Sequence, residues 1–104
     1  MARATEEDIA ICVARIANGR SNGICSFRRA RDEIPDMIKL SKDDTAPSQT
    51  RAGEQMWYQL VRNIRSHHSA DGNFIERGLL EHVPGVGYRI TDAGKAYLKK
   101  KGLS

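Results

Sequence analysis

The side chains best placed to do chemistry lie between Arg51 and Ser66. Gln55, Gln59, Arg62 and Ser66 recur there at helical intervals, flanked by Tyr58, Asn63 and Arg65. Amides, guanidinium groups and a hydroxyl along one face donate and accept hydrogen bonds but move no protons. No carboxylate falls between Gln55 and Ser66. An ordinary solvated helix mixes Glu with Lys, so this face points to an anionic, hydrogen-bonding partner such as nucleic acid. The competing reading is plain surface, with Arg62 and Arg65 paired to Glu54 or Glu76 across neighbouring turns.

Other reactive groups lead nowhere as specific. Cys12 and Cys25 stand thirteen positions apart, which makes no disulfide framework. Cys12 falls beside an apolar helical stripe and reads as a small buried hydrophobe. A zinc site needs four ligands, or three plus water, and Cys12, Cys25, His67 and His68 show neither CxxC nor HxxxH spacing. His67 and His68 read as a polar helix end. They and Asp71 are candidate acid–base groups, but no nucleophile, phosphate loop or metal motif accompanies them. The expectation is no metal, no cofactor and no catalysis.

The chain has 104 residues, and Lys and Arg exceed Asp and Glu by four. Length alone suggests one domain, residues 1–104, with one modest core and little room for a deep cleft. Residues 1–50 carry eight basic and eight acidic groups, whereas residues 51–104 carry nine against five. The positive excess therefore lies in the second half. No apolar run approaches the ~18 residues of a membrane helix. The first eight residues turn acidic where a secretion signal would be apolar. A cytoplasmic location and no membrane partner are expected.

The elements that must position the polar face follow from caps and periodicity. Thr5 with Glu6, Glu7 and Asp8 predicts a helix over about 5–18, with Ile9, Val13 and Ile16 inward and Gly19 ending it in a left-handed conformation. Ser21–Gly23 is a turn, and Ile24-Cys25 suits a short edge strand. Ser26 caps a second helix from Phe27 to about Ile34, which Pro35 should end or kink. Met37–Leu40 plugs the core, and Ser41 caps one short helical turn. After a connector over 45–50, the spacing predicts a long amphipathic helix from Ala52 to about His67, with Trp57, Leu60, Val61 and Ile64 buried and Met56 at the edge. Ser69–Gly72 is a loop, and Asn73–Arg77 a turn stopped by Gly78. Leu79–Val83 and Tyr88–Ile90 form a hairpin around Pro84–Gly87. Thr91 caps a closing helix over 92–101, with Ala93, Ala96, Tyr97 and Leu98 inward and Gly102–Ser104 frayed.

That order predicts an α+β, mainly α fold: a winged helix-turn-helix with a three-helix core, a two- to three-stranded small sheet and a closing C-terminal helix. Glu76-Arg77-Gly78-Leu79-Leu80-Glu81 and the run Gly87–Leu98 look like the wing and closing helix of many prokaryotic winged-helix domains. Leu40–Asp44, Arg51, Glu54, Trp57, Val61–Ile64 and Ser66-His67 extend the match. Over residues 6–101 the chain resembles the N-terminal winged-helix domain of Mrr-type restriction proteins. One departure is the loop Ser69–Asn73, which breaks the third helix before its last turn. The resemblance implies double-stranded DNA binding, usually beside a separate nuclease domain. The metal-dependent nuclease core of those proteins needs Asp/Glu-x-Lys, and this sequence has none.

On that reading the helix over about 52–67 lies in the major groove. Arg62 pairs with guanine and Gln55 or Gln59 with adenine edges. Arg51, Tyr58, Arg65 and Ser66 complete the face, mostly toward phosphates, and Arg89 is the one basic group on the hairpin 79–91. Further partners in keeping with the resemblance are a nuclease, a methylase or a second copy of the chain. The alternative is a protein-interaction or dimerisation module on the same fold. An exposed apolar patch including Tyr58, Phe74 or Met37 would favour it.

Overall fold

Thr5 opens the first helix. Its hydroxyl accepts the Asp8 N–H at 3.1 Å, and the Asp8 carboxylate accepts the Thr5 N–H at 3.0 Å. In the structure, a computed structural model that describes residues 3–103, helix α1 then runs Glu6–Asn18. Seven of its thirteen residues are buried, alanines among them, so three other helices and the sheet all approach it closely. Gly19 caps α1 in a right-handed conformation, φ −83°, not the left-handed one expected. Its N–H reaches the Arg15 and Ile16 carbonyls, so the last turn tightens without reversing.

Strand β1, Ile24–Ser26, is the expected edge strand. It pairs antiparallel with β3, Gly87–Ile90, which also pairs antiparallel with β2, Leu80–Val83, giving the order β1-β3-β2. Gly87 is where strands crowd: a Cβ there would stand 2.0 Å from the Cys25 carbonyl oxygen. Tyr88 faces the core, and its hydroxyl donates to the Val61 carbonyl at 2.6 Å. That bond ties hairpin to helix. Tyr88→Phe is expected to lower stability by about 1 kcal/mol, read as a lower urea midpoint at unchanged slope.

Helix α2 spans Phe27–Met37, with Ser26 Oγ accepting the Arg29 N–H at 3.1 Å. It continues through Pro35 instead of stopping at Ile34. Only two residues follow the proline, and Ile38 N–H still reaches the Ile34 carbonyl at 3.2 Å. So near the end of a helix, the lost N–H removes one bond without derailing the chain. Met37, Ile38 and Leu40 half-bury against the core as expected.

Ser41 caps α3, Lys42–Thr45, and Asp44 closes the box. Asp44 is 1% exposed. Its carboxylate accepts the Ser41 and Ala4 N–H groups at 2.9 and 3.0 Å, with Arg3 Nε at 3.8 Å. Burial disfavours the charge, but these backbone donors, the Ser41 hydroxyl and Arg3 outweigh it and hold the carboxyl below its ordinary pKa.

After α4, Tyr58–Ser66, and the turn ending at Gly78, the hairpin leads to Thr91, which caps α5, Asp92–Lys100. The inward residues of α5 are Gly94 and Leu98, with Tyr97 half-buried; Ala93 and Ala96 are exposed, contrary to expectation. Gly94 is the point of contact because a Cβ there would stand 2.2 Å from the Leu79 carbonyl oxygen. The C-terminal residues are not frayed as expected: Leu103 packs on the core and its N–H reaches the Leu98 carbonyl at 2.8 Å, while Ser104 lies outside the described residues. The whole is an α+β fold, mainly helical, of five helices and one three-stranded antiparallel sheet. Among the described residues no helix is long and apolar enough to cross a membrane.

Candidate nucleic-acid interface

Helix α4 is shorter than the periodicity predicts, Tyr58–Ser66 instead of about 52–67. Gly53 sits at φ +81°, a left-handed conformation that no helix interior accepts. The Ser48 hydroxyl takes the N–H groups of Thr50 and Arg51, at 3.3 and 3.1 Å. The chain then folds back, with Met56 N–H on the Ala46 carbonyl and Trp57 N–H on the Asp44 carbonyl, both at 2.9 Å. Arg51 and Gln55 are therefore loop residues, not helix-face residues. The Gln55 side-chain oxygen accepts the Trp57 indole N–H at 2.9 Å, which occupies the amide proposed for base contact.

From Tyr58 onward the helical reading holds. Val61 and Ile64 are buried behind Trp57, and a nine-residue helix needs that burial because isolated helices under ~12 residues are marginal. Gln59, Arg65 and Ser66 are exposed, while Arg62 is half-buried. Arg62 Nη2 lies 2.7 Å from Glu54 Oε1 and donates to the Gln59 side-chain oxygen at 3.2 Å. Its guanidinium stands 5.1 Å from the Tyr58 ring centroid, and Gln59 Nε2 donates to Asn63 Oδ1 at 3.0 Å. Arg62 thus makes the pairing with Glu54 that the sequence allowed as surface structure. Arg65 does not pair with Glu76; its Nη1 meets His68 Nδ1 at 3.1 Å. Arg89 is exposed on the outer sheet face, in register with Glu81 and Ile24.

Beside α4 lies a cleft of about 230 Å³ lined by Phe27, Arg62, Arg65, Ser66, His82 and Tyr88. Phe27 meets the Tyr88 ring edge-on at 5.6 Å, and His82 lies 5.9 Å from Tyr88. Burial, then the Arg65 charge, lowers the His82 pKa, so the ring is neutral at pH 7. Burial and Glu54 raise the Tyr58 phenol, against Arg31 and Arg62, and its hydroxyl donates to the Phe27 carbonyl at 3.3 Å, which sets the start of α2 beside α4. Phe27 and His82, which line the cleft, and Arg31 were missed from sequence. The run Arg28-Arg29-Ala30-Arg31 was the available signal, hidden because the first half balances overall. Arg31 is exposed and has no ion-pair partner among the described residues.

A second cleft, of about 430 Å³, holds Glu6, Glu7, His67 and Asp71. Cys12 and Cys25 are buried, and burial pushes their thiols up to about 11 and about 12. At neutral pH both are therefore protonated thiols. His67 Nδ1 lies 2.7 Å from Glu6 Oε1, and that carboxylate also receives the Asn73 amide at 3.4 Å, which fastens α4 to the start of α1. Among the described residues no three His, Cys, Asp or Glu side chains gather closely enough to hold a metal ion.

Fold and site together define a small α+β protein with one short cationic, amide-bearing helix face. Compared with known protein families, curated proteins and solved structures, the chain matches none.

Proposed function

We propose that this chain is a non-catalytic winged helix-turn-helix module that binds double-stranded DNA, related in kind to the N-terminal domain of Mrr-type restriction proteins. The observation that carries the reading is the outward face of α4, where Gln59, Arg65 and Ser66 are exposed and no carboxylate intervenes. The element order and the strand order β1-β3-β2 support it, as do the packing of α4 against α2 and the bond from Tyr88 of the hairpin to the Val61 carbonyl of α4. Gln59 and Arg62 are the base-reading groups, and Arg62 must leave Glu54 to reach a guanine. Arg65, Arg31, Arg28, Arg51 and Tyr58 meet phosphates, and Arg89 serves the wing.

The test is a titration of a labelled random-sequence duplex at low and moderate salt. Wild type is expected to bind with modest affinity that falls steeply as salt rises. Arg31→Glu with Arg65→Glu is expected to weaken binding more than tenfold and to flatten the salt slope by about two. Both residues are exposed, so thermal melting should stay unchanged. Wild-type binding that is absent at low salt, or equal in the double variant, refutes the reading.

One observation favours an interaction module instead. The hairpin tip Pro84–Val86 carries no charge, and Val86 is the one large hydrophobic exposed among the described residues, at 44%. Tyr58 and Met37 are only half-exposed and Phe74 is buried, so no wide apolar patch joins it.

A further inference from the structure

At the far end of α1 from its contact with His67, about 18 Å along the helix, a groove of about 500 Å³ opens between α1, α2 and the C-terminal residues. Its floor is apolar: Ile16, Met37 and Leu103. Arg15, Arg20 and Arg29 stand around it. Among the described residues the one carboxylate lining it, Glu33, is bound to Arg29. Among the described residues Arg15 and Arg20 have no ion-pair partner, and both are exposed. The groove therefore keeps a net positive rim over an apolar floor.

We infer that this groove docks an acidic amphipathic segment of a partner protein, with apolar anchors on the floor and carboxylates against Arg15 and Arg20. The inference does not rest on the DNA reading. Charge complementarity selects an acidic partner, and guanidinium forks match carboxylates two bonds at a time. The floor selects a peptide over nucleic acid, since a phosphate backbone offers nothing apolar to bury against Ile16, Met37 and Leu103. Anchors at i, i+3/i+4 and i+7 on a short helix suit such a groove. Met37 can adapt to their shape.

The probe is a fluorescent fourteen-residue peptide (length about four helical turns) with Leu and Phe anchors on one face and Glu on its flanks, titrated against the full chain. Saturable binding is expected, at least tenfold weaker when the Glu residues become Lys. Arg15→Glu with Arg20→Glu should weaken it at least tenfold with the melting curve unchanged, and Met37→Ala several-fold. A saturating duplex should leave the peptide bound. No saturable binding, equal binding of the Lys peptide or to the Arg15→Glu, Arg20→Glu protein, or displacement by the duplex each overturns the inference. The last result would assign the groove to nucleic acid.

Discussion

Replacing Asp44 with alanine is expected to remove about 3 kcal/mol of folding stability, a large fraction of what a chain this size possesses. Two backbone donors, on Ala4 and Ser41, lose their acceptor, and the side chain is 1% exposed, so water does not substitute readily. The damage spreads, because the Asp44 carbonyl receives the Trp57 N–H and so seats the residue that precedes α4. Thermal melting checks this, with a fall of about 12 °C or more expected. The carboxylate also gives a pH signature. Its pKa is lower in the folded chain than unfolded, so its contribution is complete above the ordinary value of about 4 and is lost as pH falls through the folded value. Wild type should lose stability on acidification below about pH 4. Asp44→Asn, less damaging than alanine, should show a shallower acid slope. Parallel slopes would show that Asp44 is not the titrating group.

Gly94→Ala is the second large effect, and its sign opposes helix propensity. In an exposed helix interior this exchange stabilises by about 1 kcal/mol. Here the new Cβ would stand 2.2 Å from the Leu79 carbonyl oxygen and 2.8 Å from Ile90 Cγ1. The nearer obstacle is backbone, so α5 must move away from the hairpin, and a net loss of about 2 kcal/mol is expected. Gly19→Ala is the control: the residue is right-handed and its nearest neighbour would lie 3.6 Å away. It should change stability by less than about 0.5 kcal/mol. Denaturant melts of the two variants side by side decide the matter. Equal effects would mean that the close approach of α5 and Leu79 relaxes freely.

These two positions also mark what a sequence can and cannot disclose. Thr5, Ser26, Ser41 and Thr91 announced four helix starts, because a cap acts over three or four residues and its spacing is written in the chain. The hairpin was legible for the same reason, from Pro84–Gly87 between two apolar runs. The start of α4 was not. Residues 52–57 have helix-compatible spacing, and only their pairing with Asp44, Ala46 and Pro47, up to thirteen positions away, pulls them out of it. Pro35 was given too much weight because a proline's effect depends on how much helix must follow. At the candidate site, the exposed Gln59, Arg65 and Ser66 were legible from periodicity. The engagement of Gln55 by Trp57 was not, since the chain folds back before α4 and takes Gln55 off the helix face, whereas the Arg62–Glu54 pair was open from the sequence as the plain-surface alternative. The α2 arginines escaped because adding charges along a chain ignores which helices lie side by side.

The shortness of α4 bears on how much information such a face can hold. Nine residues rise about 13 Å, and a duplex advances about 3.4 Å per base pair. The helix can lie against only about four base pairs. On the proposed DNA-binding reading, with Gln59 and Arg62 as its reading groups, it would discriminate at two of them at most. A site read at only two positions recurs about every sixteen base pairs in any genome, so one copy alone would locate DNA without choosing an address on it. Selectivity would have to come from a second copy, from the hairpin, or from whatever protein brings this module to its place.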